Sequence, residues 1–135
     1  MNELMPDYYQ GPPVMPTFDL DLGYTRPPLS ANDRMHWARK AKITAAVRLS
    51  VGLLARRIPY LGWCEVTFTW TVTDARRRDA DNLVPFLKAA CDGLVDAGIV
   101  NDDTPDLMVK HMPIIVRGDT AGMVLRVAGL EPVAA

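Results

Sequence analysis

Cys64-Glu65-Val66-Thr67-Phe68-Thr69-Trp70-Thr71-Val72 is the stretch that decides the fold. Cys64, Val66, Phe68, Trp70 and Val72 alternate with Glu65, Thr67, Thr69 and Thr71. A period of two, rich in β-branched and aromatic residues, marks a half-buried strand. The run Arg76-Arg77-Arg78-Asp79-Ala80-Asp81-Asn82 follows it and leads into the clearest helix of the chain. Asn82 or Val84 is placed to cap that helix, and Pro85 falls in its first turn, where a missing N–H costs nothing. Gly98 supplies the left-handed position beyond an end near Ala97. At about 100° per residue, Leu83, Leu87, Ala90, Cys91 and Leu94 cluster on one side of this helix.

Upstream, Phe18, Leu20, Leu22 and Tyr24 alternate with polar residues as a first strand, which Arg26-Pro27-Pro28 breaks. Ser30 to Asp33 form a polar turn, and the proline-free stretch from Arg34 to Arg57 reads as a long helix. Pro59 and Gly62 separate it from the central strand. Downstream, Ile99-Val100 is a short extended piece and Asn101 to Asp106 a polar turn. Leu107 to Val116 and Met123 to Val127 read as two last strands, joined as a hairpin through Arg117-Gly118-Asp119. The expected fold is α+β, a small single domain with a mixed β-sheet packed by two main helices. It should occupy residues 16–130, between a loose tail at 1–15, interrupted by Gly11-Pro12-Pro13, and a short tail at 131–135.

With 135 residues, 49% of them apolar, the chain holds enough core for one domain. No apolar run reaches membrane-spanning length, and the first residues lack the basic start and apolar centre of a signal peptide. Cys64 and Cys91 fall on a strand and a helix, as small buried thiols do, which fits a reducing cytoplasm. The net charge of −1 hides an uneven spread: residues 26–58 carry eight Lys and Arg against the single Asp33. That block suits a phosphate-rich partner, although solvated basic helices are common. At its start Arg34, His36, Arg39 and Lys40 surround Trp37. Cations pair with phosphates and an indole stacks on bases. The plainer expectation, adopted here, is that Trp37 plugs the core; His36 suits a cap or surface position as well as a phosphate contact.

If extended geometry continues past Asp74, the side chains of Asp79 and Asp81 share a face about 6.5–7 Å apart. At an effective dielectric near 20 they repel by roughly 2.5 kcal/mol, so something positive should sit between them. Mg²⁺ is one candidate, since hard cations take a few carboxylates and keep positions open for water and phosphate. A surface ion pair with Arg77, on the same face, is the other. Asp102 and Asp103 offer further carboxylates, though Asp is a turn former by default, and so are Asp74, Asp96, Asp106 and Asp119. Lys88 and Asp92 lie one helical turn apart in the less favourable order for a pair that only stabilises a helix.

Together, Arg76 to Asn82, Lys88-Ala89-Ala90-Cys91-Asp92-Gly93-Leu94, Ala97-Gly98-Ile99 and Asn101-Asp102-Asp103 resemble the RusA family of Holliday-junction resolvases. The likeness covers 28 consecutive residues, from Arg76 to Asp103. Pro27-Pro28 with Ser30 and Asn32 resembles a further segment of that family. The resemblance implies a homodimeric, Mg²⁺-dependent endonuclease (Mn²⁺ as a substitute) that cuts four-way DNA junctions in recombination and repair. It implies metal-binding catalytic aspartates at Asp79, Asp81 and Asp103, an auxiliary lysine at Lys88, and supporting roles for Asn82, Asp92 and Asp102. DNA contacts would come from Arg76, Arg77, Arg78, Arg34, His36, Arg39 and Lys40, with no membrane and no small-molecule cofactor involved. Val84-Pro85-Phe86 departs from the family pattern as a three-residue insertion, which would shift Lys88 by about 4.5 Å along its helix. A flap- or fork-preferring nuclease of a mobile element, acting in its host's cytoplasm, and a non-catalytic branched-DNA-binding protein are the alternatives.

Overall fold

The computed structural model of the chain describes residues 16–130; the tails expected at 1–15 and 131–135 lie outside them. The strand Cys64–Val72 is β2, the centre of a mixed sheet. Cys64, Val66, Phe68 and Val72 are buried, while Trp70 is only half-buried. β1 (Thr17–Asp21) pairs antiparallel with β5 (Gly122–Gly129), and β5 pairs antiparallel with β2 from Cys64↔Gly129 to Thr71↔Gly122. On its other side β2 holds two short parallel strands, β3 (Met108–Lys110) and β4 (Ile114–Arg117). The α+β class, the mixed sheet and the two helices are as the sequence predicts.

Three details of the strands differ. The single strand expected from Leu107 to Val116 is broken, because three residues, His111 to Pro113, stand opposite two of β2, Thr67 and Phe68. The extra residue is a bulge, and Pro113 has no N–H to continue a ladder. The expected hairpin does not form either: β4 and β5 flank β2 from opposite sides. Their connection crosses the end of β2, where Gly118 N donates to Val72 O at 2.9 Å. A Cβ at Gly118 would come within 2.8 Å of Thr71 Cγ2, so the crossing is close. β2, the longest strand with apolar alternation throughout, lies between β5 and the β3–β4 edge. Ile99 and Val100 are buried but form no strand.

Helix α1 spans Trp37–Leu54 and continues as a 3-10 turn, Ala55–Arg57; helix α2 spans Val84–Asp96. Neither Asn82 nor Val84 caps α2: its N-cap is Leu83, without a side-chain bond, and a 3-10 turn over Ala80–Leu83 precedes it. Gly98 takes the left-handed conformation as expected, with φ +81°. α2 buries more than one stripe, since Phe86, Ala89 and Gly93 join Leu87, Ala90, Cys91 and Leu94 in the interior. Phe86 stacks on Phe68 with centroids 5.0 Å apart and meets Tyr24 edge-on, so Phe86 of the Val84-Pro85-Phe86 segment anchors the helix in the core. α1 and α2 meet through glycine, for a Cβ at Gly93 would lie 2.5 Å from Arg48 O. Arg48 closes the same contact with a two-point ion pair to Asp96, at 2.5 and 2.8 Å. Asp96, expected as a turn former, is thus an interhelical partner.

Candidate active site

The basic-acidic run leaves β2 as a turn built by Asp74. Its Oδ1 accepts from Arg76 N at 3.0 Å, the local bond that makes Asp a turn former, and also from Arg78 Nη1 at 2.7 Å. Arg78, with the backbone N–H of Arg76, holds the Asp74 carboxyl down at about 2. Arg78 also lies over Trp70, 5.1 Å from the ring centroid, and Trp70 Nε1 donates to Thr25 O at 3.0 Å. Arg76 reaches Asp74 more loosely, at 3.9 Å. Arg77 holds no ion pair among the described residues.

Asp79 precedes the 3-10 turn in extended conformation and Asp81 lies inside it; both are exposed. All 15 Lys and Arg of the chain fall within the described residues, yet none pairs with Asp79 or Asp81. The Arg77 ion pair weighed from the sequence is absent. Asn82 N donates to Asp79 O at 3.1 Å, closing the turn, and Asn82 O accepts from Ala31 N at 2.9 Å. That second bond joins the Pro27 to Asn32 segment to the Arg76 to Asn82 run. They line one cleft.

Asp103 has a different setting. Its carboxylate, 18% exposed, receives Lys88 Nζ at 2.7 Å and Lys110 Nζ at 3.1 Å, both on Oδ2. Lys110 also donates to Asp103 O at 2.9 Å. Asp102 Oδ1 accepts from Asp103 N at 2.7 Å, and Asp92 Oδ1 takes Lys88 Nζ at 2.9 Å. Lys88 first, then Lys110, hold the Asp103 carboxyl down at about 2, and the same bonds from Asp103 and Asp92 raise the Lys88 ammonium pKa. Lys88, Asp92, Asp102 and Asp103 are therefore brought together, with Lys110 as a member that sequence reasoning missed. The signal was weak, a lone lysine at the end of a three-residue strand.

Asp103 is not gathered with Asp79 and Asp81: among the described residues no three His, Cys, Asp or Glu side chains are grouped to hold a metal ion. The donor chemistry still fits a hard cation at the exposed turn. Asp79 and Asp81 present carboxylates that no ammonium or guanidinium neutralises, and Mg²⁺ needs only one or two beside water and phosphate.

At the start of α1, His36 is the N-cap, its Nδ1 accepting from Ala38 N at 3.1 Å. Trp37 is 77% exposed, which corrects the core position expected for it. Its ring lies 5.5 Å from that of His36, with Arg34, Arg39 and Lys40 exposed around the pair. α1 buries only Val47 and Val51 fully, farther along, so its first turn has no core to enter.

The chain does not stay extended from Asp79 to Asp81, because a 3-10 turn begins at Ala80; the fold and these side chains define a small α+β domain with two exposed carboxylates, free of ion pairs, in the turn before α2 and beside exposed cations. No protein-family model and no curated protein matches the chain. Among the described residues no helix is long and apolar enough to cross a membrane.

Proposed function

We propose that the chain is a divalent-metal-dependent, structure-selective DNA endonuclease that resolves four-way junctions in recombination and repair, as the RusA family does. One observation supports this most: Asp79 and Asp81 remain without a cation although Arg76, Arg77 and Arg78 immediately precede them. A turn that presents two acids unneutralised is suited to a cation from solution. Asp79 and Asp81 would hold Mg²⁺, or Mn²⁺ in its place; Asp103, the third carboxylate that the resemblance implies, is held by Lys88 and Lys110 and would join them only if the lysines release it. Bound there, the ion would supply Lewis acidity, to lower the pKa of a water and draw charge from the scissile phosphate.

The chain's own residues do the rest. Arg76 and Arg77 pair with the phosphodiester, and Lys88 and Lys110 keep Asp103 ionised and oriented. Arg34, Arg39 and Lys40 contact phosphates farther along an arm, and exposed Trp37 stacks on a base. Hydrolysis leaves a 5′-phosphate and a 3′-hydroxyl, ends that a ligase seals. A homodimer would match the two-fold symmetry of a junction, acting in the cytoplasm of its cell or of a mobile element's host.

Asp103 favours a second reading, a branched-DNA-binding protein without catalysis, because two lysines already neutralise it. One experiment separates the two. An end-labelled immobile junction, a fork and a flap are incubated with the protein in Mg²⁺ and in chelator. Symmetric nicks in the junction, only with metal and lost in Asp81→Asn, are the expected result. Binding without cutting selects the second reading, and faster cutting of fork or flap reassigns the substrate.

A further inference from the structure

We infer that the cleft beside Asp79 is a pocket for one unstacked nucleotide, base and phosphate together, and that its capture makes the protein prefer branched to linear DNA. The inference rests on the endonuclease reading above and names what the site would hold. The cleft encloses about 400 Å³, within the roughly 300–1,000 Å³ of ligand pockets.

Trp70 and Arg78 form one wall. The indole is tethered through Nε1 to Thr25 O, and the guanidinium is held by Asp74 at 2.7 Å while lying over the ring. The guanidinium plane, laid on the indole and 19% exposed, is a surface on which an unpaired base stacks, with the core-packed ring as its backing. Since both are fixed beforehand, little side-chain freedom is lost on binding.

Asn32 and Asn82 line the same cleft and supply amides for a base edge. Arg26 and Arg77 line it too and hold no ion pair among the described residues, so their guanidinium groups are available to the phosphate. A base stacked within a duplex cannot enter a concave cleft. It must leave the stack, and that costs least where pairing is already broken. At a branch point the bases are still paired but the stack is interrupted on one side, so a nucleotide leaves at less cost there than within a linear duplex. Asp79 on the cleft wall puts the captured nucleotide next to the proposed cleavage turn.

The test uses the full chain in Ca²⁺, which replaces Mg²⁺ so that binding is read without cutting. Wild type and Asn32→Ala are titrated with an intact four-way junction, a junction made abasic at the nucleotides flanking the branch, and a linear duplex. Removing the flanking bases should weaken wild-type binding about tenfold, as loss of a stacked base does. Asn32→Ala should weaken binding to the intact junction and cause no further loss on the abasic one, with duplex affinity little changed. Equal losses on junction and duplex, or indifference to the abasic sites, overturn the pocket. If no DNA binds at all, the endonuclease reading fails by itself. The pocket is then decided by titrating ¹⁵N-labelled protein with the four deoxynucleoside 5′-monophosphates. Displacement of the Trp70 indole N–H resonance supports it, and an unmoved resonance overturns it.

Discussion

Asp81 and Asp103 are both aspartates in turns flanking α2, and the fold treats them in opposite ways. Asp103 is mostly covered and takes two ammonium groups on one oxygen. Asp81 is exposed and takes none, though three arginines lie within five residues of it. The difference shows that sequence proximity alone does not decide which acids are neutralised. Arg78 turns back onto Asp74 and Trp70, whereas Lys110 arrives from β3 on the far side of the crossover. A carboxylate in a closed lysine cluster stabilises the fold; one left open costs a little stability and is free for a ligand.

The sharpest way to break this contrast is Asp81→Asn. We expect Mg²⁺-dependent junction cutting to fall by more than about 100-fold, beyond what loss of an outer-shell partner costs, with junction binding retained in a gel-shift assay. The same change should move stability by no more than about 0.5 kcal/mol, since no ion pair is lost. Asp103→Asn should instead cost about 1–2 kcal/mol in urea unfolding, because it removes a charge-assisted bond to two lysines. Equal stability losses for the two variants would erase the distinction.

Metal binding sharpens the same contrast. At ten times its dissociation constant Mg²⁺ should stabilise the wild type by about 1.4 kcal/mol, read as a rise in Tm. Asp81→Asn should lose that shift. Retention of the full shift in Asp103→Asn would assign Asp103 to its lysines alone and reduce the metal site to two carboxylates.

Much of the scaffold was legible in the sequence because one periodicity at a time dominated each stretch. β2 announces itself by alternation, and the end of α2 by Gly98. α1 was legible as a helix but not in orientation: apolar residues occur all round it, with Leu49 and Leu53 exposed beside buried Val47 and Val51. Hence the sequence points Trp37 into a core that its turn never reaches. The broken β3–β4 edge and the crossing at Gly118 depend on which strand takes the sheet centre, which is a property of the whole chain. The acids of the candidate site were legible by spacing and resemblance. Their partners were not, because Lys110 and Asp103 become neighbours only when β3 lies beside β2.

Acid titration gives a smaller effect. A carboxyl whose folded-state pKa is depressed adds stability that is complete above the unfolded value, 3.8 for Asp103, and lost as pH falls through the folded value of about 2. Between those limits the unfolded chain binds the extra proton, so stability should decline from pH 4 to pH 2. Asp74 contributes in the same window, discounted because it is about half exposed to solvent. Asp103→Asn should flatten this limb, whereas Asp81→Asn should leave it unchanged.

The smallest expected difference lies between the two lysines. Lys88 is the stronger cause of the low Asp103 pKa, with the shorter bond, 2.7 Å against 3.1 Å. Lys110 is the less exposed side chain, 30% against 57%, and it alone also binds the Asp103 carbonyl. Replacing Lys88 by Gln should therefore raise the Asp103 pKa more, because a solvent-facing but closer ammonium is lost from the carboxylate. Replacing Lys110 by Gln should raise it less yet disturb the turn more, because two bonds holding residue 103 disappear together. ¹³C titration of the Asp103 carboxyl in both variants, beside amide exchange over residues 101–106, reads the two effects separately. If Lys110→Gln gave the larger pKa change, the covered ammonium would be the one that governs Asp103, and Lys88 would be left free to face a phosphate.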